Sequence, residues 1–141
     1  MKSVYLIGSL RNQQVPEVGN YLRDRGFDCF DDWFAAGKIA DDSWQEYETK
    51  RGRTYPEALR GLAAKHVFSF DYHHLNRCEI GVLMMPAGKS GHIEFGYLRG
   101  QGKPVFVLFD KALERWDQMY QFSSGVFFDK EALVKALLEI A

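Results

Sequence analysis

The chain has 141 residues, 46% of them hydrophobic and 15% aromatic, enough for one domain to bury an ordinary core without metal or disulfide support. Eighteen basic against nineteen acidic residues leave a net charge of −1, so no overall field favours duplex nucleic acid or an anionic membrane. No apolar run reaches bilayer length, the start is too short and strand-like for a signal peptide, and the two cysteines, Cys29 and Cys78, lack metal spacing. A cytoplasmic protein with both thiols as core filler is the expectation.

Residues 4–7 read as the first strand, short and apolar, and they deliver the loop Gly8-Ser9-Leu10-Arg11-Asn12. That loop offers a flexible backbone, a hydroxyl and a guanidinium fork suited to phosphate. Val18, Tyr21 and Leu22 give residues 15–25 a helical stripe that Gly26 stops, and residues 27–30 form a second strand. Residues 31–55 read as a long connection carrying Trp33, Phe34, Trp44, Tyr47 and Tyr55. Core packing accounts for any one of these rings, whereas several together suit stacking on a nucleobase. Lys50, Arg51 and Arg53 read as a solvated face.

Leu59, Leu62 and Ala63 predict a helix over 56–66 with Pro56 in its first turn. Asp71 and Glu79 then stand eight residues apart, about two helical turns, beside His73 and His74. Consecutive histidines diverge by about 100° on a helix, and no further ligand spacing occurs, so neither a metal nor another cofactor is expected. Residues 80–85 form a third strand that breaks into Gly88-Lys89-Ser90-Gly91-His92-Ile93-Glu94. A strand feeding a glycine loop and a helix over 93–99 offers backbone N–H groups to an anion or sugar hydroxyl, with Glu94 in the first turn. Glu94 could equally do no more than complement the positive helix end. No Gly-x-Ser-x-Gly elbow occurs, which argues against Ser-His-Asp chemistry at Ser90.

A fourth strand over 105–109 follows Gly100, Gly102 and Pro104, and an edge strand over 126–128 precedes a helix capped by Asp129, with Leu133, Val134, Leu137 and Leu138 as its stripe. Strands alternating with helices imply a parallel sheet, and no repeat or linker divides residues 1–141. Ligands of such sheets sit outside the carboxyl ends of strands, so the loops after residues 7, 30 and 85 should converge on one pocket.

In order and spacing these motifs resemble the nucleoside 2-deoxyribosyltransferase superfamily. The resemblance rests on Tyr5-Leu6-Ile7-Gly8-Ser9-Leu10-Arg11, Asp71 with an acid eight residues later, the glycine loop leading to Glu94-Phe95-Gly96-Tyr97, and Gly102-Lys103-Pro104-Val105, and it spans about residues 3–120. It implies a flavodoxin-like α/β fold with a parallel sheet of about five strands, a homo-oligomer of at least two copies, Glu94 as nucleophile and Asp71 as the acid assisting the leaving base. The stretch Gly8-Ser9-Leu10-Arg11 looks more like the 2'-deoxynucleoside 5'-phosphate N-hydrolases than the transferases.

Gly88 stands where those hydrolases carry a serine, with Lys89 and Ser90 as substitutes, and Asp117 stands where a phosphate-binding serine is usual. A carboxylate at 117 would repel a phosphate and accept from a free 5'-hydroxyl. The implied substrate-binding set is Gly8, Ser9, Arg11, Gly88, Ser90, Gly91 and Asp117 around the sugar and its 5' group, with Trp33, Trp44 and Tyr47 stacking the base. The expected reaction is hydrolysis of the N-glycosidic bond of a deoxynucleoside or its 5'-monophosphate. The alternatives are transfer of deoxyribose between bases, NAD cleavage of the TIR type, and nucleotide sensing without turnover.

Overall fold

A computed structural model describes residues 1–140. Five strands, β1 (Ser3–Ile7), β2 (Asp28–Phe30), β3 (Ile80–Met84), β4 (Val105–Leu108) and β5 (Gly125–Phe127), form one sheet in the order β2-β1-β3-β4-β5. Every neighbouring pair is parallel. The helices are α1 (Val15–Asp24), α2 (Ala40–Lys50), α3 (Tyr55–Leu59), α4 (Leu62–Arg77), α5 (Lys89–Gly100) and α6 (Lys130–Leu138). This is the α/β Rossmann-like arrangement expected, and its chain order reverses between β1 and β3, where open sheets of this kind leave a crevice.

Alternation along the strands sorts the core into two layers. Val4, Leu6, Val82, Met84, Phe106 and Leu108 face Val15, Val18 and Leu22 of α1 and Leu133, Val134 and Leu137 of α6. Tyr5, Ile7, Leu83, Val105 and Val107 face Leu75 of α4 and Phe95 and Leu98 of α5. Because β1 and β3 are covered on both faces, all five residues of each are buried, which is why both read as unbroken apolar runs. Gly81 lets α5 press onto β3, since a Cβ there would lie 2.7 Å from Leu98 Cδ1 and 3.1 Å from Val105 Cγ2.

Four expectations are corrected. The helix expected over 56–66 is split at Gly61 into α3 and α4, with Thr54 and Glu57 forming a capping box at the start of α3. The long connection over 31–55 contains a 3₁₀ helix, Asp32–Ala36, and the whole of α2. Arg51 and Arg53 are no mere solvated face, because both pair at 3.4 Å with Glu48, which is 2% exposed. Asp71 lies inside α4, whereas Glu79 lies past its end, where its carboxylate accepts from the Ser3 N–H and hydroxyl. Glu79 therefore secures the start of β1 and takes no part with Asp71.

Other expectations hold closely. Gly26 follows the end of α1 with φ +91°, and Asp129 caps α6 through the Ala132 N–H at 2.7 Å. Both thiols are buried, and desolvation pushes Cys29 up to about 12 and Cys78 to about 11. No helix among the described residues is long and apolar enough to cross a membrane.

Candidate active site

Three elements bring three polar side chains together on the α4/α5 side of the sheet. Tyr5 sits mid-β1, 1% exposed, and its phenol donates to Glu94 Oε2 at 2.9 Å. Glu94 comes from α5. That helix begins at Lys89 after an N-cap at Gly88, so Glu94 stands in the second turn rather than the first. The correction matters, because the helix-end field fades within the first turn and no acid occupies the first turn of α5. Dipole complementation therefore does not explain this carboxylate.

Burial explains how the group is poised. Desolvation pushes Glu94 up to about 7, the Tyr5 hydrogen bond pulls in the opposite direction, and the charge of Asp71 adds to the rise. Asp71, from the middle of α4, is itself pushed up to about 6 by desolvation. Tyr5 is raised by burial first and then by Glu94 and Asp71, so it stays a neutral donor across the physiological range. Two half-buried carboxyls raised toward neutrality around one fixed donor can each serve as proton donor, proton acceptor or nucleophile.

The carboxyl ends of β1 and β3 open onto a cleft of ≈460 Å³ lined by Ser9, Arg11, Asn12, Gln13, Gln14, Pro86, Ala87, Gly88 and Asp110. Ser9 Oγ accepts from the Arg11 N–H at 3.1 Å, which folds the loop tightly after Gly8. The Arg11 side chain is 73% exposed and stands 3.7 Å from Asp42 of α2. Gly88 is exposed, and no side chain caps α5. Gly91 is a packing glycine, since a Cβ there would lie 3.2 Å from Ala87 Cβ and from Ile7 Cγ2. Ser90 is exposed beside it.

The other expected contacts scatter. Trp33 donates its indole N–H to the Leu6 carbonyl at 2.8 Å; β2 pairs with β1 only as far as Tyr5, so the indole continues the ladder. Its ring still lies beside Gly8, 3.6 Å from where a Cβ would be. Trp44 packs edge-on to Tyr55, and Tyr47 carries the Arg51 guanidinium 5.1 Å from its ring centre. Asp117 caps a 3₁₀ helix, Gln118–Phe122, by accepting from the Met119 N–H at 2.7 Å. No cluster of three or more metal-ligating side chains occurs among the described residues.

Sequence reasoning gave no role to Tyr5, His92 or Asp110. For Tyr5 a signal existed, because a phenol in the middle of a strand buried on both faces needs a partner for its hydroxyl. For the other two it did not, since Tyr120 lies 28 residues from His92 and Asp110 meets the cleft through residues far from it in sequence.

Two solved structures share the architecture. A 2-deoxyribosyltransferase from Bacillus psychrosaccharolyticus matches with a TM-score of 0.62 at 18% identity, over 93% of this chain and 89% of that one. The CMP N-glycosidase of Clostridium botulinum matches with a TM-score of 0.58 at 13% identity, over 96% of this chain and 98% of that one. No protein-family model and no curated protein matches the sequence. At these identities the likeness shows the fold, which is the one the motif order implied.

Proposed function

We propose that this chain is an N-glycosidase of the deoxyribosyltransferase type, cleaving the bond between base and sugar in a 2'-deoxynucleoside 5'-monophosphate, with Glu94 as nucleophile. The observation that carries the reading is the Tyr5–Glu94 hydrogen bond with the Asp71 charge close enough to raise Glu94. By name one structural neighbour transfers deoxyribose and the other is an N-glycosidase of the ribonucleotide CMP, which supports N-glycosidic chemistry in general.

In the first step the Glu94 carboxylate attacks C1', the C1'–N bond breaks, and the electron pair leaves with the base, which Asp71 protonates or orients. In the second, Asp71 takes a proton from water as the water oxygen bonds to C1', the C1'–O bond to Glu94 breaks, and the sugar phosphate leaves with Glu94 restored as a carboxylate. Tyr5 holds one Glu94 oxygen, leaving the other to attack. The sugar and its 5' group are assigned to Gly8, Ser9, Arg11 and the backbone from Gly88 through Ser90 to Gly91. Asp110 works against a dianion there, and Asp117 bears on the question only from a second copy. Trp33 is the base-side ring closest to the loop; Trp44 and Tyr47 approach with α2, and Tyr47 has only one face left for a base.

A homodimer belongs to the same proposal. Of the 16 residues of α4 only Leu75 is buried, and Phe68, Tyr72 and Ile93 are 64%, 45% and 72% exposed. Phe68, Tyr72 and Tyr97 form one connected aromatic surface across α4 and α5, and a near-neutral face of this kind can pack on itself. Sedimentation should show a dimer that Tyr72→Glu dissociates.

The deciding experiment is a panel of deoxynucleosides, their monophosphates and NAD, with and without a second base, analysed for free and exchanged bases. Free base from monophosphates is the expected result. Exchange without net release selects the transferase reading, NAD loss selects the TIR-type reading, and tight binding without release selects a sensor.

A further inference from the structure

The His92 side chain reaches back onto the uncapped first turn of α5. Its Nδ1 lies 2.8 Å from the Gly88 carbonyl, which the His92 backbone N–H also meets at 3.2 Å. A carbonyl only accepts, so Nδ1 carries the proton, and the other nitrogen of the neutral ring is an acceptor. That nitrogen, Nε2, lies 3.0 Å from the Tyr120 hydroxyl, whose other acceptor is Met85 Sδ at 3.8 Å; the nearer nitrogen is the stronger acceptor and takes the proton. Tyr120 belongs to the 3₁₀ helix after β4 and packs edge-on to Phe109 at 5.5 Å, so the chain of bonds ends on a core side chain.

Gly88 has no side chain, and a Cβ there would meet nothing within 4 Å, so neither capping nor crowding fixes its peptide. Two bonds from His92 to its carbonyl do. In a trans peptide the N–H points opposite the C=O, so holding the Gly88 carbonyl along the helix turns the Lys89 N–H out of the N-terminal end of α5, and Gly88 itself lines the cleft.

We infer that His92 and Tyr120 are positioning residues for the 5'-phosphate of the substrate: together they hold the Gly88–Lys89 peptide so that the first N–H groups of α5 face that group. The inference rests on the glycosidase reading for the identity of the ligand. It assigns to Tyr120 a role in binding although 28 residues separate it from His92.

The test measures binding apart from turnover. In a Glu94→Ala background, calorimetry gives the Kd of each common deoxynucleoside 5'-monophosphate and of the matching nucleoside, with and without Tyr120→Phe or His92→Phe. Each second substitution should weaken the monophosphates about three- to tenfold, the range of one or two neutral hydrogen bonds, and move the nucleosides less than twofold. Tyr120→Phe keeps the ring that packs on Phe109, so it remains informative if His92→Phe does not fold. Equal weakening of both ligands, or none, overturns the inference. Base release by the wild-type chain is measured alongside; its absence with the Kd pattern intact removes the glycosidase reading and leaves the phosphate-positioning role standing.

Discussion

The buried end of the site, around Tyr5, Asp71 and Glu94, and the open end, around Ser9, Arg11 and Gly88, both depend on β1 and α5 and yet work in different media. At the buried end loss of solvent lifts the carboxyls, Glu94 to about 7 against the pull of the 2.9 Å Tyr5 bond and Asp71 to about 6. At the open end Arg11 is 73% exposed and shares its charge with Asp42, so water screens whatever it does. The difference separates reaction from recognition: changes at the buried end should act on bond breaking, and changes at the open end on which substrate is held.

The hardest test of that division is Glu94→Ala, which should lower turnover at least ~10³-fold while the protein stays folded, because the covalent path is removed. Near-normal base release would abolish the distinction. Asp71→Asn comes next, and its loss should be large for natural bases and small for activated leaving groups, since only poor leaving groups need the proton. Its pH profile adds a second reading. Wild-type kcat/KM should be bell-shaped with limbs near about 6 and about 7. The Asn variant should keep a single rising limb displaced below 7, because the charge that helps raise Glu94 is gone.

Stability should expose the cost of the buried end. Both carboxyls have folded values raised above their ordinary ones, so the folded chain holds these protons more tightly than the unfolded chain. Their stabilising contribution is full in acid and is lost as pH rises through about 6 and about 7. Glu94→Gln should therefore match wild type in melting at pH 4, below the ordinary carboxylate value, and exceed it at pH 8, by about 2 kcal/mol. Identical melting curves at pH 8 would show that Glu94 is not desolvated in solution.

At the open end the effects shrink. Arg11→Ala should weaken monophosphate use by about 1.5 kcal/mol, the low end for a bond to a charged group, and leave nucleosides unchanged. The smallest change is expected for Asp117→Ala, which removes the cap on the Met119 N–H and should lower stability by about 1 kcal/mol with no change in substrate preference. A selective loss on nucleosides would instead place Asp117 against a free 5'-hydroxyl and favour the transferase reading.

What could be read along the chain was whatever a local pattern decides. Strands buried on both faces announce themselves as apolar runs, Gly26 and Asp129 mark helix ends by local chemistry, and the order of short motifs pointed to the sheet. Glu94 and Asp71 were legible as carboxylates in telling places. Their partnership was not, because the Tyr5–Glu94 bond spans 89 residues and which way a strand residue faces is set by the layers packed on it. The same limit hid the His92–Tyr120 bridge and misplaced Glu79, whose partner is Ser3 at a separation of 76 residues. Helix limits failed where tertiary contacts outweigh propensity: α5 starts at Lys89 and takes Gly91 into its first turn, where a Cβ would crowd Ile7 and Ala87, a close approach visible only once β1 and α5 are packed together.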